Sequence, residues 1–144
     1  MDLPLLARAE LNVQVFLPYL LTGGIFLALD LAWFALFGGR FYKSQLGPMM
    51  RDKIAWPAAL IFYLLYVAIL TMLVIVPASR IADPVQAGWE AGLIGLAAYA
   101  AYNLTNVATL KNWPVKLSFV DLFWGTSASA ATGYLAVLAL GYLH

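Results

Sequence analysis

No cysteine occurs anywhere in the chain. That removes disulfides, thiolate metal sites, iron–sulfur clusters and cysteine nucleophiles together. Histidine is nearly as scarce: the single one is His144, too little to build a bis-histidine haem site or a histidine-centred catalytic apparatus. Charge is scarce as well. Only 10% of the 144 residues are Asp, Glu, Lys or Arg, while 64% are hydrophobic. A water-soluble domain of this size needs far more polar residues to cover its surface. The net charge of +1 gives no signal for nucleic acid, and no basic nucleic-acid patch is present. Phosphate-cradling glycine loops, nucleophile elbows and metal-ligand spacings are missing too.

What is present is a set of long apolar runs, each near the roughly 20 residues that a bilayer-spanning helix requires. They predict an all-α, single-domain integral membrane bundle of four transmembrane helices over residues 13–37, 56–76, 88–110 and 117–142. The runs are continuous rather than alternating, which excludes a β-barrel. Residues 13–37 are too long for the h-region of a signal peptide and no A-x-A-type site follows them, so a retained span is expected. Pro57 opens the second helix and Pro77 is expected just past its end; Trp113 and Pro114 open the fourth. Short connections make neighbouring helices antiparallel.

With four spans, Arg40, Lys43, Arg51, Lys53, Lys111 and Lys116 fall on one side of the membrane and Arg8 and Arg80 on the other. By the positive-inside rule the first side is cytoplasmic and both termini are external. Trp56, Trp89, Trp113 and Tyr142 fall near span ends, as an aromatic belt would have them. Asp30-Leu31-Ala32-Trp33 and Asn103-Leu104-Thr105-Asn106 sit at matching depth in the first and third helices. Each precedes a basic loop and a Trp-Pro pair, then Tyr63 and Tyr66 in one half, Asp121 and Trp124 in the other. Two readings fit this pattern: two tandem two-helix repeats with an axis along the membrane normal, or the common likeness of amphipathic helix ends.

Asp30 and Asp121 are the sharpest features. A carboxylate inside a span costs on the order of 2.5–3.5 kcal/mol on insertion scales, so such residues tend to face the bundle interior. Each is followed three residues later by a tryptophan, Trp33 and Trp124, on the same helical face. Tyr99, Tyr102, Asn103 and Asn106 form a polar stripe on the third helix, and Tyr63 and Tyr66 a shorter one on the second. In lipid these groups need internal partners, for which the aspartates are candidates. These ten residues are the expected pocket. Two readings of the aspartates remain open: a functional site, or hydrogen bonding that fixes helix register. The two carboxylates could contribute to a hard-cation site, yet nothing in the spacing requires a metal, and no cofactor is indicated. In the outer half, Gly88, Gly92 and Gly95 on the third helix and Gly125, Ser129 and Gly133 on the fourth form small-residue stripes that allow close approach. The expected shape is a bundle pinched outside and opened inside.

The runs Leu29 to Trp33, Phe41-Tyr42 and Gln45-Leu46-Gly47 resemble a family of small bacterial inner-membrane proteins, domain of unknown function 2177. So do Tyr102 to Pro114 and Val120 to Gly125. The likeness covers nearly the whole chain after its first dozen residues; Tyr-Asn-Leu-Thr-Asn and Asp-x-x-Trp-Gly are its most specific blocks. It implies a four-span protein of the bacterial inner membrane, with both termini periplasmic by the charge pattern above, and transfers no activity. Three functions then compete. One is a cytoplasm-facing pocket that binds a lipid or other apolar small molecule. The second is an accessory subunit of a larger membrane complex. The third is a proton-coupled transporter, for which homo-oligomerisation is expected. The residues do not say whether the chain is an enzyme.

Overall fold

The computed structural model describes the backbone of residues 5–143 and the side chains of Gln14 and of residues 16–143. The side chain of Arg8, which enters the topology expectation, and His144 lie outside the described residues. Four helical rods make up the fold. The first is α1 (Leu5–Trp33), a π-helical turn (Phe34–Gly38) and α2 (Gly39–Leu46) in unbroken succession. The second is α3 (Trp56–Leu70), a second π-helical turn (Thr71–Ile75) and α4 (Val76–Arg80). The third and fourth are α5 (Pro84–Thr109) and α6 (Val115–Leu143).

The rods are longer than the apolar runs implied, and two departures have physical causes. The second rod does not stop at Pro77. A proline ring clashes with the carbonyl four residues back, here that of Leu73, and the hydrogen-bond register widens at that turn: the Val76 N–H reaches the Thr71 carbonyl. The π turn lets the helix pass Pro77 and run to Arg80. The first rod likewise continues beyond residue 37, because the Gly39 N–H bonds the Phe34 carbonyl and the chain resumes α-helical register. Arg40 and Lys43 therefore lie on α2, not in a loop.

Residues 81–83 and 110–114 are tight connections. Ala82 and Asn112 take left-handed conformations, φ 51° and 64°, and the Asp83 carboxylate caps α5 by accepting from the Gln86 N–H at 2.9 Å.

Three of the rods contain segments long and apolar enough to cross a membrane: Phe16–Met49, Trp56–Arg80 and Val115–Leu143. α5 is comparable in length, 26 residues, but carries Gln86, Glu90, Asn103 and Asn106 and falls short of that apolarity. Large apolar side chains cover the outside, including Leu20, Leu31, Leu60, Ile61, Leu64, Leu65, Met72, Leu73, Phe119 and Phe123, all well exposed. Water-soluble monomers rarely show apolar surface on this scale. The fold is an all-α membrane bundle.

Its two ends are built differently. At the end away from the basic connections, Phe26, Leu70, Val74, Ile75, Ala78, Ala87, Ala91, Ala136, Val137 and Leu140 form a close-packed core. Here α5 and α6 approach backbone to backbone. A Cβ on Gly133 would collide with the Ala87 carbonyl oxygen and lie 2.7 Å from the Ala91 Cβ. A Cβ on Gly95 would lie 2.5 Å from Ser129 Oγ and 2.6 Å from the Gly125 carbonyl oxygen. The second rod meets α5 mainly through its π turn and α4. Towards the basic end, α3 and α5 separate, and the polar residues occupy the space between.

Candidate functional site

Asp30 comes from α1 and Asp121 from the second turn of α6; both are buried, 6% and 8% exposed. Each carboxylate is held by two neutral donors. Asp30 Oδ1 accepts from Trp124 Nε1–H at 2.8 Å, and its Oδ2 accepts from the Tyr63 hydroxyl. Asp121 Oδ1 accepts from the Tyr42 hydroxyl at 2.5 Å, and its Oδ2 from Asn103 Nδ2 at 2.6 Å. Asn103 is fixed in turn, since the same nitrogen also donates to the Tyr99 carbonyl at 3.0 Å. All four helical rods are thus tied together through two carboxylates, with no cationic partner in these bonds.

The pairing has a further regularity. The positions matched by the internal likeness are Asp30 with Asn103 and Tyr63 with Asp121. In space Asp30 bonds Tyr63 and Asn103 bonds Asp121. Each half carries the same inter-helix contact, with donor and acceptor exchanged. A two-helix repeat would produce this exchange, although the spacing from the Trp-Pro pair differs by one residue between the halves.

The carboxylates face one cavity of about 320 Å³. Its walls are Asp30, Phe34, Tyr42, Ala59, Phe62, Tyr63, Ala98, Tyr99, Tyr102, Asp121 and Trp124. Of the ten residues expected there, Asp30, Tyr63, Tyr99, Tyr102, Asp121 and Trp124 line it. The other four stand behind or beside it. Trp33 stacks on Trp124, ring centroids 4.5 Å apart and nearly parallel at 8°, and faces a second, open groove of about 630 Å³ with Arg40, Phe41 and Ser44. Tyr66 is buried further from the basic end, 2.6 Å from Ser129 Oγ; Ser129 spends its own proton on the Gly125 carbonyl, so Tyr66 donates. Asn103 supports Asp121 from behind, and half-buried Asn106 does not reach the cavity.

Sequence reasoning missed Phe34, Tyr42, Phe62, Ala59 and Ala98. Tyr42 is the instructive case. At about 100° per residue, 12 residues of α-helix would carry it about 120° round from Asp30. The π turn at Phe34–Gly38 absorbs close to one residue of rotation and returns Tyr42 towards the Asp30 face. Gly38 contributes room: a Cβ there would lie 2.9 Å from Trp33 Nε1. Tyr42→Phe should lower stability by about 1.5–3 kcal/mol, the usual net range for a hydrogen bond to a charged group, read as the thermal midpoint in detergent. An unchanged midpoint would mean that the Tyr42–Asp121 bond does not fasten α2 to α6.

A model of the family described as "Predicted membrane protein (DUF2177)" matches residues 15–138. The chain belongs to that family. The match takes in every residue of the cavity and both π turns. Comparison with curated proteins and with solved structures returns no match.

Proposed function

We propose that this protein binds an amphiphilic small molecule or lipid in the cavity between α3 and α5. The observation that carries the reading is the shared cavity: two buried carboxylates from different rods stand on its walls among aromatic side chains. Register-fixing alone requires the hydrogen bonds but no space between them. The position of the opening supports a ligand drawn from the bilayer. Phe62 and Tyr102 line the cavity and are also 42% and 57% exposed on the outer surface, one on each side of the gap between α3 and α5. A molecule with its tail in lipid can pass its head between them.

In this reading all four rods cross the inner membrane of a bacterial cell. α5 spans although its own sequence is less apolar, because its small and polar face lies against α6 and the cavity while Leu93, Leu96, Leu104 and Val107 face out. The six basic residues at the cavity end support a cytoplasmic position for that end and external termini, by the positive-inside rule. Cysteine introduced at Lys43 should be shielded from an impermeant maleimide in intact cells and cysteine at Arg80 labelled; the chain has no cysteine of its own. Labelling at 43 but not at 80 would invert the topology.

The binding reading is tested with a phosphatidylethanolamine carrying a diazirine beside its head group, photolysed in membranes and mapped by mass spectrometry. Adducts should concentrate on Phe62, Ala98 and Tyr102 relative to Leu65 and Phe119 on the outer faces. Uniform labelling of all exposed apolar residues would leave only annular lipid and remove the proposal.

A further inference from the structure

Which chemistry the cavity selects follows from its walls, on the reading that it binds an amphiphile at all. The lining consists of seven aromatic residues, two alanines and two aspartates; among the described residues no lysine, arginine or histidine contributes to it. Both carboxylates take their hydrogen bonds from neutral groups, which position the negative charge without cancelling it. Behind Asp121, the fully buried Asn103 holds a further acceptor, Oδ1, with no donor. The site therefore carries negative charge that its neutral hydrogen-bond donors do not cancel, in a region where uncompensated charge is unfavourable.

We infer that the cavity is selective for an amphiphile with a weakly hydrated organic cation as its head, such as a quaternary ammonium, held between aromatic ring faces and the two carboxylates. The rings supply the contact surface. Phe34, Phe62, Tyr99, Tyr102 and Trp124 surround the space, and the negative face of an aromatic ring attracts a cation brought within about 6 Å. A metal ion is disfavoured by the same geometry. It requires roughly six or more oxygen ligands at short distance, whereas the cavity offers two carboxylates whose oxygens each already accept a hydrogen bond, from Trp124, Tyr63, Tyr42 and Asn103. Among the described residues no group of three or more acidic, histidine or cysteine side chains is gathered to hold one. A diffuse cation needs none of those bonds broken. It is stabilised by the field of the carboxylates through space.

The test is isothermal titration of the purified protein in neutral maltoside micelles, with protein-free micelles as baseline. Three probes share one tail: octyltrimethylammonium, its uncharged carbon isostere and octyl sulfate. The cation should bind saturably, about tenfold or more tighter than the isostere given the Coulomb gain at a partly buried site, and the sulfate should not bind. Asp30→Asn and Asp121→Asn should each erase that preference. Phe62→Leu, a change at a partly lipid-facing position, should weaken the cation roughly threefold or more with little effect on the isostere. Equal binding of cation and isostere, unaffected by either Asp→Asn change, would overturn charge selectivity and leave the amphiphile pocket standing. Absence of saturable binding by all three probes would overturn both.

Discussion

Gly133→Leu should leave no folded protein after extraction into detergent. The glycine lies where α6 passes closest to α5. Even the first atom of a side chain would overlap the Ala87 carbonyl oxygen and lie 2.7 Å from the Ala91 Cβ. Backbone cannot rotate aside as the end of a long side chain can, so the helices must part along the stretch that also carries Gly95 and Ser129. Overpacking typically costs roughly 1–3 kcal/mol, and this contact belongs at or beyond the upper end. Gly24→Ala gives the opposite sign. A Cβ there meets nothing within 4 Å, and replacing a helix-interior glycine by alanine gains about 0.5–1 kcal/mol where there is room. Gly92→Leu should fall between, because its nearest neighbour is the Ala130 Cβ at 3.2 Å. The yield of folded protein after extraction, with thermal unfolding followed by circular dichroism for whatever is folded, ranks the three. Gly133→Leu melting with wild type would show that α5 and α6 do not pack as described.

The second large effect separates charge from shape at the aspartates. Asp30→Asn can keep both hydrogen bonds: its carbonyl accepts from Trp124 Nε1–H, while the Tyr63 hydroxyl turns to accept from the new amide. Asp121→Asn can do the same between Asn103 and Tyr42. Removing a charge from a low-dielectric region also relieves desolvation, so both variants should melt within about 1 kcal/mol of wild type, or above it. Asp30→Leu cannot keep these bonds. It leaves the Trp124 indole N–H and the Tyr63 hydroxyl without their acceptor, and an unsatisfied buried donor typically costs about 1–3 kcal/mol. That variant should be markedly less stable than Asp30→Asn. Equal midpoints for the two would mean that the hydrogen bonds around Asp30 contribute nothing.

Much of this was legible in the residues because bilayer helices write their constraints plainly. Run length announced the helices, and the glycine stripes at Gly88, Gly92, Gly95, Gly125 and Gly133 announced where two of them touch. The carboxylates and Trp124 stood out because polar groups in such runs must turn inward. Phe34 and Phe62 could not be found that way. They lie within largely apolar runs, where nothing in the pattern distinguishes a ring on the cavity wall from one in lipid. Tyr42 was hidden by a different cause, the register change at the π turn, which a fixed 3.6-residue period does not contain. Pro77 misled for the same reason: it reads as a stop, yet the widened turn before it carries the helix on to Arg80.

The central claim, that the cavity holds a ligand through Asp30 and Asp121, is tested most directly by native mass spectrometry of protein released from membranes under mild detergent conditions. Wild type and the doubly substituted Asp30→Asn, Asp121→Asn protein are compared at matched thermal stability. The account expects wild type to carry one amphiphile per chain at activation energies that strip annular lipid, and the double variant to emerge bare. A wild-type protein released without ligand, or a double variant that retains it equally well, would contradict the account and reduce the two carboxylates to fastenings between helices.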